Sequence, residues 1–192
     1  TTLLAVGALL ILGGDTLRIF SLALFLGILA GMYIAFGSVG FTTVLTKVQD
    51  PGLAKLLGSA VFPVGLMLVV MAGAELFTGN NLMTLGVMTN RFSLGAMLRN
   101  WGLVYVGNFI GSIFVVFLVL NTGLYSGVIA EKAIAIATAK ASLSLGKVIS
   151  RAILCNILVV LAVWLATGAK DITGKIFACW FPITLFVVSG YE

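Results

Sequence analysis

Five stretches of this chain carry no charge, and their lengths decide what it can fold into. Residues 19–46, 56–74, 100–130, 152–169 and 176–191 contain no Asp, Glu, Lys or Arg. A helix needs about 20 mostly apolar residues to cross a bilayer. The first and third stretches are long enough outright, and the second and fourth are just sufficient. The fifth runs up to Glu192. Composition closes the other routes. The 192 residues are 61% hydrophobic and 9% charged, whereas an average soluble domain is about 25% charged. Eleven basic and six acidic side chains cannot cover a globule of this size, and disordered chains are polar and charge-rich. The expected class is an all-α integral membrane protein.

Several functional classes fall away on the same grounds. A net charge of +5 is too sparse for nucleic-acid binding. Cys155 and Cys179 both sit in apolar stretches with neither metal-type spacing nor a disulfide framework, and they read as inert buried thiols. The sequence has no His, so His-based catalysis and metal binding are not available to it. No enzyme activity, cofactor or metal is expected. Residues 1–14 are apolar but short, and they lack the basic n-region of a signal peptide. The chain divides into an N-terminal segment, 1–18, and a membrane domain, 19–192.

Two segments resemble each other. One runs from Phe62-Pro63 through Val69-Val70 to Gly73-Ala74-Glu75. The other runs from Phe181-Pro182 through Val187-Val188 to Gly190-Tyr191-Glu192. The Glu in each is the telling residue, because an acid within a span is costly and rare. The first copy lies in the second span and the second copy in the fifth. An odd number of spans therefore separates them, and the copies have opposite orientation. This predicts an inverted repeat of three plus three spans, and that plan calls for a sixth span beyond Glu192.

Both motif helices read as broken. Gly79 and the pair Asn80-Asn81 follow Glu75 closely, and Gly and Asn are poor helix formers. Irregular backbone at membrane depth is tolerated only where protein or a cavity shelters it. Buried at such a break, Glu75, and Glu192 in the second copy, would accept hydrogen bonds from backbone N–H groups and stabilise the unusual backbone. Gly27 with Gly31, and Gly107 with Gly111, form small-xxx-small pairs that let helices approach closely.

Two further polar residues need a role. Lys140 lies in the longest connection, residues 130–150, among small neighbours. Asn156 lies five residues into the fourth apolar stretch, with Val159 one turn on along the same face. It either bonds a neighbouring helix or faces a pore. Charge counts leave membrane orientation open. With a cytoplasmic N-terminus, five basic residues (Arg18, Arg91, Arg99, Lys170 and Lys175) fall inside. Six (Lys47, Lys55, Lys132, Lys140, Lys147 and Arg151) fall outside, so the positive-inside rule does not choose. The Lys excess after the third span does suit an anion vestibule, where positive potential concentrates anions.

Four motifs, in order and with matching spacing, resemble the formate/nitrite transporter family. They are Gly73-Ala74-Glu75-Leu76-Phe77-Thr78; Asn100-Trp101 with Val104-Tyr105 and Gly107-Asn108; Leu154-Cys155-Asn156 through Leu161-Ala162-Val163-Trp164; and Phe186-Val187 with Gly190-Tyr191-Glu192. The resemblance covers about residues 20–192. It implies a homopentamer in the cell membrane whose aquaporin-like protomers each hold a pore for a small monovalent anion such as formate, nitrite or hydrosulfide. By position, Phe62, Leu66, Leu76, Phe77, Val159 and Phe186 match the apolar constriction. Thr78, Lys140 and Asn156 match the polar residues around the central vestibule. In the family a His at the pore centre follows the second motif's Glu at once. The chain is accordingly expected to be a piece of a longer transporter, incomplete at its C-terminus.

A bare anion entering an apolar constriction pays a large desolvation cost. Lys140 would offset part of it by attraction, or a weak acid would cross neutral after taking a proton. An aquaporin-like channel for neutral solutes shares the architecture, but the paired Asn-Pro-Ala motifs of aquaporins are missing. The remaining alternative is a fragment that does not transport.

Overall fold

The structure, a computed structural model, describes residues 16–191; the expectations for residues 1–14 and for Glu192 lie outside them. Among the described residues, five helices are long and apolar enough to span a bilayer: Ile19–Lys47, Pro51–Gly73, Leu94–Asn121, Leu145–Gly168 and Ile172–Ser189. Each contains one of the five charge-poor stretches or most of it. The elements in chain order are α1 (Thr16–Lys47), α2 (Pro51–Val61), α3 (Val64–Leu68), α4 (Met83–Met88), α5 (Leu94–Asn121), α6 (Val128–Ala141), α7 (Leu145–Gly168) and α8 (Ile172–Ser189).

Local chemistry sets the helix starts. Asp50 caps α2 by accepting from the Leu53 N–H at 2.6 Å, and Pro51 occupies the first turn, where its missing N–H costs nothing. Ser93 caps α5 through Ala96, and Asp171 caps α8 through Gly174. Pro63 removes one backbone donor between α2 and α3, yet Phe62 keeps helical dihedrals and donates to the Gly58 carbonyl. The second span thus passes its Phe-Pro pair with its direction preserved.

The glycine pairs do the packing read from sequence. A Cβ at Gly27 would stand 3.1 Å from the Val104 carbonyl oxygen, and one at Gly107 2.8 Å from that of Leu24. At Gly31 it would collide with the Asn108 carbonyl, and at Gly111 with that of Ile28. The two pairs face each other, so α1 and α5 touch backbone to backbone. A second cluster joins α1, α3, the turn after it, α7 and α8 around Phe41, Leu66, Val69, Val159, Ala162, Ile183 and Phe186, all buried. Large apolar side chains such as Phe109, Phe117, Trp164 and Phe181 remain exposed on the outer faces. Surfaces of that kind suit lipid or another protein.

The connections fix sidedness. Successive spans alternate in direction, so the end of α1, the start of α2, the end of α5, α6 and the start of α7 share one membrane face. Tyr125, just before α6, donates to the Val39 carbonyl near the end of α1 at 3.2 Å.

Two expectations are corrected. Residues 130–150 are not a simple connection: most of them belong to α6 and the start of α7. Glu131 lies in the first turn of α6 and Lys140 in the last, which complements the helix dipole. Asn156 is not near a helix start either. The helix begins at Leu145 and carries Lys147 and Arg151 within its first two turns, so Asn156 sits at the middle of 24 residues. Long basic side chains reach the membrane surface from such positions.

Candidate functional site

The break in the second span starts as a local widening of the helix. Residues Val69–Gly73 form a π-helical turn, and the Ala74 N–H donates to the Val69 carbonyl at 3.0 Å. Gly73 then takes φ +87° and Ala74 is fully extended. Only glycine reaches that left-handed region without strain. A tight 3-10 turn, Gly79–Leu82, restarts the helix. Gly190, the matching glycine of the second motif, also has a positive φ, +76°, where it caps α8. The fifth span carries Pro182 inside a continuous helix, and its helical path ends at Gly190.

Non-helical backbone inside a membrane needs partners for its polar groups, and α5 supplies them. Asn108 donates to the carbonyls of Gly27 at 2.8 Å and Glu75 at 3.0 Å, while its Oδ1 accepts from the Phe77 N–H at 3.0 Å. The Glu75 N–H donates to the Leu26 carbonyl at 3.2 Å. Trp101 Nε1 donates to the Asn80 carbonyl at 3.0 Å. One asparagine therefore ties α1, α5 and both sides of the break together.

Glu75 is 1% exposed, Asn80 0% and Asn100 4%, so their side chains depend on one another for solvation. Asn80 Nδ2 donates to Glu75 Oε2 at 2.6 Å and to Asn100 Oδ1 at 2.9 Å. The expected partners of Glu75 were backbone N–H groups of the break. Those N–H groups are instead taken by Leu26 and Asn108, which leaves the carboxylate to the Asn80 amide.

The neighbouring asparagines point to different helices. Asn80 is buried against α5, whereas Asn81 Nδ2 donates to Asn156 Oδ1 on α7 at 2.8 Å. Asn156 Nδ2 in turn donates to the Ala152 carbonyl at 2.8 Å. A pocket of about 320 Å³ opens beside this pair, lined by Lys140, Arg151, Cys155, Asn156 and Tyr191, among others. Two cations from α6 and α7 thus share a cavity with an amide that touches the break. Thr78 stands at the start of the 3-10 turn, half-buried.

The apolar residues singled out from sequence fall into two groups. Leu66, Val159 and Phe186 are buried in one cluster, with Phe62 and Leu76 packed against it. The Phe62 and Phe186 rings meet edge to face at 5.9 Å. Phe77 packs elsewhere, against Ala23, Leu26 and Val104. Its ring meets Trp101 at 5.8 Å and Tyr105 at 5.6 Å. The sequence reading took Asn80 and Asn81 only as helix breakers and Asn100 and Asn108 only as motif residues, and it foresaw none of their side-chain bonds. An Asn inside an apolar span was the signal that could have found the last two.

Comparison with known proteins gives a consistent picture. The formate/nitrite transporter family model matches residues 16–192. The uncharacterized transporter YrhG of Bacillus subtilis is 44% identical over 178 residues, covering 88% of this chain and 65% of that protein. The formate channel BtFdhC of Bacillus thuringiensis is 42% identical over 173 residues, covering 88% of this chain and 67% of that one. The chain thus spans about two thirds of the length of these relatives. A solved pentameric formate channel with formate bound superimposes with a TM-score of 0.82 at 33% identity, over 93% of this chain and 72% of that one.

Proposed function

Since this chain belongs to the formate/nitrite transporter family, a family of transporters rather than enzymes, we propose that it passes small monovalent anions across the cell membrane through a path inside each protomer. The substrate class is formate, nitrite or hydrosulfide, and the working assembly is a homopentamer in the lipid bilayer. The exposed apolar faces of the spans and the likeness to a pentameric formate channel support that assembly. We further propose the inverted three-plus-three plan, supported by the positive-φ glycines of the two Phe-Pro motifs.

One observation carries the reading: a cationic pocket shares Asn156 with the break of the second span. Lys140, with Arg151 beside it, captures the anion. Asn156, and Thr78 at the start of the turn, present polar groups to it as it leaves water. Phe62, Leu66, Leu76, Val159 and Phe186 then form the apolar narrowing, with Phe77 as its wall on the α5 side. Glu75, bonded to Asn80, holds the break of the second span in shape.

Magnitudes favour two stages. Attraction by one cation at about 4 Å is worth about 4 kcal/mol at an effective dielectric of about 20. Moving an ionised group into an apolar medium costs tens of kcal/mol by Born solvation. Lys140 therefore concentrates the anion but does not carry it through the ring of Phe and Leu. A weak acid that takes up a proton beyond the pocket avoids most of that cost. The test is proteoliposome uptake of formate by the full-length protein. Lys140→Ala should reduce uptake at least about tenfold, the equivalent of about 1.4 kcal/mol. Unchanged uptake with unchanged pH dependence would refute the capture role.

A further inference from the structure

One face of α7 lines the pocket beside the break. Val148, Arg151, Ala152, Cys155 and Asn156 follow the spacing i, i+3, i+4, i+7, i+8, a single stripe along the helix. Lys140 and Tyr191 add the C-terminal ends of α6 and α8.

The polar groups on this stripe differ in what they can still offer an anion. Asn156 has given its Oδ1 to Asn81 and one Nδ2 hydrogen to the Ala152 carbonyl, so a single N–H remains. Arg151 is half-buried, and among the described residues no hydrogen bond, ion pair or ring contact takes up its guanidinium. Arg carries five N–H donors in a rigid planar fork that matches two oxygens held on one centre. A Lys ammonium is a point charge without that preference. Val148 and Leu143 give the pocket apolar wall as well, and hydrogen bonds strengthen where the local dielectric is low.

The three anions differ in the shape that such a fork reads. Formate and nitrite are planar and spread one negative charge over two oxygens. Hydrosulfide carries its charge on one sulfur, a weak acceptor that cannot engage both arms of the fork. A positive charge alone attracts all three; a guanidinium also sorts them.

We propose that Arg151 sets the anion preference of this pocket: its guanidinium takes the planar two-oxygen anions formate and nitrite in a forked pair of hydrogen bonds and so favours them over hydrosulfide. This rests on the transport reading above. Capture of charge is shared across the pocket, whereas recognition of shape belongs to Arg151.

The experiment is uptake by the full-length protein in proteoliposomes, with formate, nitrite and hydrosulfide each measured over a range of concentrations at one pH. The quantity read is the ratio of half-saturating concentrations, hydrosulfide over formate or over nitrite. Both anions are compared within one variant, so the amount of assembled protein cancels. Arg151→Lys keeps the charge and removes the fork, and it should lower both ratios about three- to tenfold. Arg151→Gln removes both. It should weaken capture of all three anions, formate and nitrite by the larger factor, and it serves where the Lys variant does not assemble. Lys147→Gln removes a point charge from the exposed first turn of α7, outside the pocket, and should leave both ratios within about a factor of two. Ratios that stay at the wild-type value in both Arg151 variants, or that fall as far in Lys147→Gln, would overturn the role of Arg151 while leaving the transport reading intact. A wild type that passes none of the three anions would overturn the transport reading itself, and this proposal with it.

Discussion

Asn108 does more for the site than any other single residue. Its amide spends one donor and its acceptor on backbone groups of the break, Glu75 and Phe77, and its other donor on the Gly27 carbonyl of α1. Each buried polar group left unpaired costs about 1–3 kcal/mol. Asn108→Ala should therefore destabilise the protein by several kcal/mol, read as a large fall in melting temperature in detergent. Asn108→Asp is the sharper comparison. It keeps the acceptor for Phe77 but sets a carboxylate against the carbonyls of Gly27 and Glu75. It should be at least as damaging as the Ala variant, and an Asp variant as stable as wild type would show that the donated bonds contribute nothing. Sequence pattern marked Glu75 and Asn156 as unusual because a polar side chain in a span needs a partner. It placed Asn108 in a motif but gave it no role, because its partners, backbone groups of the break and of α1, come together only in three dimensions. The fate of Glu75 was misread for the same reason: which group meets a freed N–H depends on where α1 and α5 lie.

Elements divide between those written in composition and those written in packing. The five spans were legible because lipid allows few charges, and their existence needs no tertiary information. Their ends were less legible. Lys147 and Arg151 lie inside α7 because long side chains reach the surface while their backbone stays helical. Helix α6 escaped notice because a search for charge-free runs passes over a helix holding Glu131, Lys132 and Lys140. Its Ala-rich sequence and its end charges were the available signal. The crossing of α1 and α5 gives an element-scale prediction. Gly31→Ala puts a methyl group into the Asn108 carbonyl, a backbone atom that cannot swing aside. Overpacking of this kind costs about 1–3 kcal/mol, and here the displaced helix also carries Asn108. Melting temperature should fall and formate flux should fall with it. Gly102→Ala is the control, since nothing stands within 4 Å of a Cβ there, and it should leave both unchanged.

At the scale of the whole molecule, two features work together: a break held rigid by α5, and a cationic pocket that touches it through Asn81 and Asn156. Under the proposed function, the rings of Phe62 and Phe186, which meet edge to face, select by size and the pocket around Lys140 and Arg151 selects by charge. Phe62→Ala should accordingly admit larger monocarboxylates such as lactate at a rate at least about tenfold above wild type, with the preference for anions over neutral solutes kept. Counterflow of labelled lactate would measure it. The measurement that tests the central claim most directly is uptake by the full-length protein in proteoliposomes, with formate, nitrite and hydrosulfide set against glycerol. The proposed function predicts saturable flux of the three anions, reduced by Lys140→Ala, and no glycerol flux above that of protein-free vesicles. Glycerol crossing as fast as formate, with no response to the loss of Lys140, would contradict it and make this an open pore for neutral solutes.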